Sequence, residues 1–231
     1  MPTFEPVVLT ARRQAGAGLH LVTLTPPEEM AASYRAPGQY VQVRTDSGSG
    51  FFVLAGELHA PSWELLVRNN GEASTDLTGA PEGTVVSVAG PLGKGFPLER
   101  ARGRALVVAV AGSALAVARP ILRDRLAHRE AALTSVYIGV RSSREIPLVE
   151  EVAGWAHAGA RLVLCLSRAS DDDASVLPEA LRGEGYVQRV LADDLAARRS
   201  AGGVVFAAGP GGMLTDLRAL AGDTLEVVTN V

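Results

Sequence analysis

The sequence predicts two domains, an N-terminal antiparallel β-barrel followed by an α/β domain with a parallel five-stranded sheet. Short β-rich segments separated by turn residues occupy residues 4–90. From residue 105 onward, apolar strands alternate with helical segments, as in βαβ units. The charged stretch 98–104 lacks apolar periodicity, so it is the predicted linker between a domain at 1–97 and a domain at 105–231.

The first pattern consists of six short strands with little helix between them, which indicates a small barrel or sandwich. A brief helix predicted at 71–78 interrupts it, with Ser74 near the helix start. Backbone N–H groups there could bind a phosphate, although a capped helical turn between two strands is the commoner explanation. The predicted strands cover residues 7–11, 19–24, 39–44, 51–54, 63–67 and 84–89.

The second pattern begins with the unbroken apolar run 105–111, as expected of a strand buried on both faces of a parallel sheet. Gly112 and Ser113 end this strand and can start a helix whose first N–H groups could hold a phosphate. The same arrangement occurs in α/β proteins of many functions. The predicted strands cover 105–111, 133–140, 161–167, 203–208 and 225–228, and the helices cover 114–128, 147–158, 191–199 and 211–221.

Ligands of parallel sheets bind beyond the carboxyl ends of the strands. This rule singles out four segments that follow predicted strands: 112–113, 141–143, 167–168 and 209–212. The acidic run 171–173 is most simply a solvated loop.

Composition excludes several classes of function. A formal charge of −3 gives no electrostatic case for binding nucleic acid or an acidic membrane surface. The single cysteine, Cys165, excludes an intrachain disulfide and lies in an apolar run, where it packs as a small hydrophobe. The histidines are far apart in sequence, so no metal site is predicted. No apolar run approaches the length of a membrane span, so a soluble, cytoplasmic protein is expected.

Six stretches of the sequence carry motifs in a recognisable order. Residues 37–41 read "PGQYV", 71–77 read "GxxSxxL", 90–96 read "GPLGxGF", 139–141 read "GxR", 183–187 are similar to "GxxGxV" but one residue shorter, and 209–213 read "CGPxxM" without its cysteine. These stretches resemble segments of the ferredoxin–NADP reductase-like flavoproteins, and among them the plant and bacterial FAD/NAD-binding oxidoreductases are the branch that the sequence most resembles.

The resemblance implies FAD in the barrel, NADH or NADPH in the α/β domain, and electron transfer to an acceptor or partner protein. It implies no acid–base residue, because the cofactors carry the chemistry. The cofactor-binding residues it implies are Phe52, Val53, Leu54, Gly71, Ala73, Ser74, Gly112, Ser113, Ala114, Arg141, Ser167, Arg168, Gly209, Pro210 and Met213.

The sequence departs from the family at both cofactor signatures. Gly50 stands where the flavin signature has arginine, which would make charge-assisted bonds to phosphate, and Val53 stands where it has a hydroxyl residue. Ala114 replaces a glycine of the nucleotide turn and Ala208 replaces the cysteine near the nicotinamide. Two hypotheses follow: a flavin-dependent NAD(P)H oxidoreductase, or a non-catalytic binding or regulatory module that has lost one or both cofactors.

Overall fold

The N-terminal part of the computed structural model is a closed antiparallel barrel. The model describes residues 3–16, 18–169, 175–198, 203–221 and 226–230. The barrel strands are β1 (Glu5–Gly16), β2 (Leu19–Thr25), β3 (Tyr40–Arg44), β4 (Ser49–Val53), β5 (Trp63–Arg68) and β6 (Val85–Leu92). They are ordered β4-β3-β6-β1-β2-β5, and a bridge between Leu54 and Leu65 joins the two edges of the sheet. The predicted barrel is therefore confirmed.

The barrel interior is filled by alternate residues of its strands, as the period-2 pattern of a half-buried strand requires. Val7, Leu9, Val41, Val43 and Trp63 are fully buried there. Two helices interrupt the strands: α1 (Glu28–Ala32), which the sequence did not predict, and α2 (Glu72–Gly79). Leu77 of α2 belongs to the barrel core, so the helix covers one opening of the barrel.

Asp76 fastens α2 to the hairpin that joins β3 and β4. Its carboxylate accepts hydrogen bonds from the Ser47 backbone N–H and from the Ser47 hydroxyl, both at 3.1 Å. Hydrogen bonds from Thr45 and Ser47 lower the pKa of Asp76 below its ordinary value. The helix that covers the barrel and the hairpin beside it are thus held together by an ionised carboxylate.

The acid dependence of unfolding should report this contact. The unfolded-state pKa of an aspartate is about 4. Because the folded-state pKa is lower, Asp76 stabilises the fold above pH about 4, and its contribution is lost as the pH falls through the folded-state pKa. Asp76→Asn is expected to remove this part of the acid dependence in urea unfolding, whereas substitution of the neighbouring exposed Asp46 by Asn leaves it. An unchanged acid dependence in Asp76→Asn would contradict the assignment.

The C-terminal part is a parallel sheet with helices on both faces. Its strands are β7 (Leu106–Ala111), β8 (Thr134–Val140), β9 (Arg161–Leu166), β10 (Leu181–Glu184), β11 (Val204–Ala208) and β12 (Glu226–Thr229). Its helices are α3 (Leu115–Ala127), α4 (Val149–His157), α5 (Val187–Arg198) and α6 (Gly211–Ala221). The strand order is β10-β9-β8-β7-β11-β12, with every neighbouring pair parallel.

The sheet has six strands rather than the predicted five. The sixth, β10, has only four residues, two of them charged and one a glycine, so it carries no strand pattern. Helix α4 begins two residues later than predicted because Leu148 has a left-handed φ of +55°. Helix α5 begins at Val187, four residues earlier than predicted. Three predictions fall partly or wholly outside the described residues: the acidic loop 171–173, the last residue of the predicted helix 191–199 and the first residue of the predicted strand 225–228.

The barrel packs on one face of the parallel sheet through α3. One hydrophobic cluster combines Leu19, Leu66 and Phe96 of the barrel part with Ile121 of α3 and the sheet residue Val108. A separate cluster lies under α5 and α6 on the other face. The predicted linker contains a short 3-10 helix whose Ala101 is buried, and the domain limits themselves stay a prediction. No helix in the described part of the chain combines the length and apolar character needed to span a membrane.

Candidate functional site

A cleft of about 440 Å³ separates the barrel from the parallel sheet, and we call it the interdomain cleft. Strand β4 and the end of β5 form its barrel wall. The turn Gly112–Ala114, the first residues of α3 and the segment after β11 form the opposite wall. Of the sequence-predicted residues, the cleft brings together Phe52, Val53, Ser113, Ala114, Gly209 and Pro210. Its lining also includes the apolar side chains of Leu66, Ala116 and Val117.

Gly50 gives space to the ring of Phe52. The two residues lie opposite Val43 and Val41, so they share one face of β4. A Cβ added at Gly50 would lie 3.0 Å from two ring carbons of Phe52 and 3.5 Å from the Ala73 Cβ. A side chain at position 50 would therefore require the phenyl ring to shift by a few tenths of an ångström.

Leu54 lies outside the lining of the interdomain cleft. Its side chain is fully buried in the barrel core. Its backbone N–H donates to the Gln39 carbonyl at 2.9 Å, and its carbonyl accepts a bond from the Tyr34 hydroxyl at 3.2 Å. The Leu54 N–H thus continues the pairing of β3 with β4, and the cofactor-binding role that the resemblance implies for Leu54 stays a prediction.

The start of α2 is organised around the Ser74 hydroxyl. Its oxygen accepts the backbone N–H groups of Asn70 at 3.0 Å and Gly71 at 2.9 Å, and the hydroxyl donates to the Gly71 carbonyl at 2.8 Å. Ser74 and Ala73 are buried. The carboxylate of Glu72 lies beside Gly48, where an added Cβ would approach Oε2 to 2.7 Å. Only the first-turn amides from position 72 onward stay without intrahelical partners.

Removal of the Ser74 hydroxyl is expected to destabilise the protein. Ser74→Ala leaves the backbone N–H groups of Asn70 and Gly71 without this acceptor and should lower the free energy of unfolding by about 1 kcal/mol, as for loss of a helix cap. Thr75→Ala removes a neighbouring hydroxyl that bonds the same Gly71 carbonyl but accepts neither amide, so it serves as the control. Urea unfolding measures both. Equal losses in the two variants would argue against the cap.

A second cavity of about 630 Å³ lies at the carboxyl edge of the parallel sheet, and we call it the sheet-edge cavity. Gly112 lines it with a left-handed φ of +56°, a conformation that glycine adopts without strain. The strand ends of β7, β8 and β9 reach it, in agreement with the carboxyl-end rule. The sequence-predicted residues that it brings together are Gly112, Arg141, Ser167, Pro210 and Met213.

The floor where the two cavities meet is formed by three small residues, Ala111, Gly139 and Gly209. Both cavities are lined by Ala111, together with Arg68 and Pro210. Cβ atoms added at Gly139 and Gly209 would lie 3.3 and 3.5 Å from the Ala111 Cβ. Small residues thus end three adjacent strand segments at this point, and the side chains of Val187 and Met213 fill the space beside Gly139 and Gly209, 2.7 Å from where Cβ atoms would lie.

One ion pair and one hydrogen bond to a carboxylate lie at the sheet-edge cavity. The Nε of Arg141 donates to Glu145 Oε2 at 2.9 Å, and Gln188 donates to Asp216 Oδ2 at 3.0 Å. Cys165 lines the cavity, and burial raises the pKa of its thiol to about 12. Arg168 is exposed and does not line the cavity, although its backbone N–H donates to the Arg141 carbonyl at 2.8 Å.

Sequence reasoning missed several lining residues. Arg68 ends β5 and lines both cavities, while Tyr186 is 68% exposed at the sheet-edge cavity. Asn70 and Asn230 line the interdomain cleft. The sequence offered an indication for two of them: Arg68 directly follows a predicted strand, and Tyr186 is an aromatic residue directly after Gly185. The asparagines gave no signal.

Comparisons with known proteins agree with this architecture. No model of a known protein family matches the chain. The fruit protein pKIWI502 of Actinidia deliciosa is 24% identical over 80% of the chain. The electron transfer subunit of dihydroorotate dehydrogenase B from Shouchella clausii is 32% identical over 51% of the chain. The chain spans 62% and 48% of the lengths of these two relatives.

Solved structures resemble nearly the whole chain. The FAD/NAD-binding domain of a nitric oxide dioxygenase from Vibrio cholerae has a TM-score of 0.78 at 20% identity, covering 99% of both chains. A ferredoxin NADP+ reductase from Neisseria gonorrhoeae has a TM-score of 0.76 at 15% identity, covering 100% of both. A cytochrome P450 reductase from Amycolatopsis has a TM-score of 0.77 at 22% identity, covering 98% of this chain and 70% of its own.

A closed barrel packed on a parallel sheet, with cavities where the two meet, is the architecture of two-domain reductases that bind FAD and nicotinamide nucleotides. More particularly, the fold is that of the ferredoxin–NADP reductase-like proteins, and the resemblance found in the sequence is confirmed at this level.

The residues of the interdomain cleft fit a flavin. A planar ring system has an aromatic side chain, Phe52, and the apolar side chains of Val53 and Val117 around it. Arg68 and Asn70 also line the cleft, whereas position 50 has no arginine to bind a pyrophosphate. The cleft therefore suits the ring better than it suits the pyrophosphate.

Proposed function

We propose that this chain is a flavin-dependent NAD(P)H oxidoreductase that passes electrons to an acceptor or partner protein. One observation carries the proposal: the interdomain cleft and the sheet-edge cavity meet at Arg68, Ala111 and Pro210. A ring held in the cleft and a nicotinamide held in the cavity would face each other over this floor. When bound, the flavin supplies the chemistry of accepting a hydride and releasing electrons.

The residues of the chain serve to bind, orient and exclude water. Phe52 and Val53 hold the ring from the barrel, and Ser113 and Ala114 hold it from α3. Backbone amides near Gly71 and Ala73, ordered by Ser74, meet the pyrophosphate of FAD. Gly112, Arg141, Ser167, Gly209, Pro210 and Met213 would hold the dinucleotide at the carboxyl edge of the sheet.

The charges around the sheet-edge cavity bear on the choice of nucleotide. Arg141 is paired with Glu145, and the carboxylate of Asp216 lies on the same cavity. A 2′-phosphate needs a cation whose charge is not already balanced. We therefore expect NADH to be used at least as well as NADPH.

Arg168→Ala tests this expectation directly. The side chain is exposed and lies outside the cavity lining, so the ratio of NADPH to NADH affinities should change by no more than about twofold, as for a solvated surface charge. Arg141→Ala, which alters a lining cation, is the comparison variant and should weaken both nucleotides. Calorimetric titration measures the four affinities. A selective loss of NADPH binding in Arg168→Ala would instead show that Arg168 binds the 2′-phosphate of NADPH.

The proposed function is tested by cofactor loading and reduction. Mass spectrometry of the denatured protein identifies any bound flavin, and titration with FAD measures its affinity. Anaerobic mixing of the flavin-loaded protein with NADH or NADPH should then bleach the visible flavin absorbance. Protein that takes up FAD and is reduced by neither nucleotide would contradict the proposal.

The alternative is a non-catalytic binding or regulatory module, and one observation favours it. Position 50 has glycine in place of the arginine that would make charge-assisted bonds to phosphate. Ser74 also uses two of the amides at the start of α2 for local structure. A colourless protein that binds neither FAD nor a nicotinamide nucleotide in titration would establish the module.

A further inference from the structure

Arg119, in the second turn of α3, is buried with only 2% of its surface exposed and lies between the barrel and the α/β domain. Its Nε donates to both carboxylate oxygens of Glu151 on α4, each at 3.0 Å. Its Nη1 donates to the Ala55 carbonyl and to Glu64 Oε2, both at 3.0 Å, and these two acceptors belong to the barrel. One guanidinium therefore holds acceptors on both domains.

The barrel acceptors are connected to one wall of the interdomain cleft. Ala55 follows the cleft residue Val53 by two positions, and its N–H donates to the Glu64 carbonyl at 2.7 Å. The opposite wall is the turn Gly112–Ala114, which leads directly into α3. Arg119 thus connects the two walls through a short stretch of rigid backbone on each side.

The hydrogen bonds of Arg119 fix the relative position of the two domains more than they increase the free energy of unfolding. The planar guanidinium can satisfy carboxylates and a carbonyl only in fixed directions. A buried ion pair gains little net stability over an apolar contact, because desolvation offsets the attraction. Glu64 and Glu151 retain 25% and 26% side-chain exposure, so solvent still reaches both carboxylates.

We infer that Arg119 is a positioning residue that fixes the spacing and angle between the two walls of the interdomain cleft. The consequence for hydride transfer rests on the proposed function, whereas the geometric part does not. Arg123 supplies a matched control. It lies one turn along α3, is 37% exposed, and approaches the same carboxylates only to 3.8 and 4.0 Å.

The distance between one label on each domain tests the geometry. Val85→Cys in the barrel and Leu181→Cys in the α/β sheet place labels at positions that are 60% and 54% exposed. The native Cys165 is buried and stays unlabelled because its thiol does not ionise at neutral pH. Spin-label spectroscopy should give a single narrow distance peak in the parent, and the same peak in Arg123→Met.

In Arg119→Met the narrow peak should be lost, with a broader or shifted distribution in its place. If this variant does not fold, Glu64→Gln removes the barrel carboxylate charge at a partly exposed site and should broaden the peak in the same way. A narrow, unshifted peak in Arg119→Met, or in Glu64→Gln when Arg119→Met does not fold, overturns the inference. Equal broadening in Arg123→Met and Arg119→Met also overturns it.

Cofactor measurements on the same variants separate this inference from the proposed function. With flavin content unchanged, the rate of reduction at saturating nucleotide should fall in Arg119→Met by up to roughly 100-fold, because ring spacing governs the transfer. A rate equal to that of Arg123→Met overturns the catalytic consequence. A protein that binds no flavin refutes the proposed function, and the label distances still decide the role of Arg119.

Discussion

Ala111→Leu is expected to block reduction by nicotinamide nucleotides while leaving the flavin in place. Ala111 lines both cavities, and its Cβ is flanked by Gly139 and Gly209, where added Cβ atoms would lie 3.3 and 3.5 Å away. A leucine there would project into the space where the two rings must approach. Displacement of a reacting group by about 1 Å costs roughly 100-fold in rate, so at least this loss is expected.

Rapid mixing of the flavin-loaded variant with NADH measures the loss. Ala132→Leu makes the same chemical change at an exposed position outside both cavities and should reduce at the parental rate. Chemical reduction of the flavin should be unaffected in either variant. A parental rate in Ala111→Leu would mean that the rings do not meet over this floor, and the arrangement proposed for the two cavities would be wrong.

The fold could be predicted because the two halves of the sequence carry different periodicities. The run that became β7 is apolar throughout, and a two-sided cover of helices is the arrangement that buries such a strand. Strand β10 has the sequence Leu-Arg-Gly-Glu, and only its pairing with β9 makes it a strand. Tertiary pairing of this kind leaves no local pattern to read.

The candidate site was predicted where it depends on strand ends and not where it depends on distant partners. Gly112 and Ser167 follow strands, so the carboxyl-end rule reaches them. Leu54 also follows a strand, β4, but its bridge to Leu65 places its side chain in the barrel core. Arg119 lies in a helix and gave no signal, because its role depends on acceptors contributed by Ala55, Glu64 and Glu151 from elsewhere in the chain.

The stretch predicted as a linker is likewise fixed by a distant residue, Arg125 of α3. This arginine is 1% exposed, and it donates to the Ala101 carbonyl at 2.7 Å and the Arg104 carbonyl at 2.9 Å. Its Nε donates to the Thr134 hydroxyl at 2.9 Å, and it also pairs with Glu130. Burial lowers the pKa of Arg125, yet an arginine stays charged at any pH that the fold tolerates.

Arg125→Met is therefore expected to cause a large loss of stability. It removes one partner of a buried ion pair and leaves two carbonyls and a hydroxyl without their donor, which costs about 3 kcal/mol or more. For a chain of this size the midpoint of thermal unfolding should fall by about 6 to 12 °C. Arg100→Met removes an arginine that is 58% exposed and paired with Glu226, and its effect on the midpoint should be much smaller, because solvent screens an exposed ion pair. Differential scanning calorimetry measures both variants, and equal shifts would show that Arg125 is no more than a surface charge.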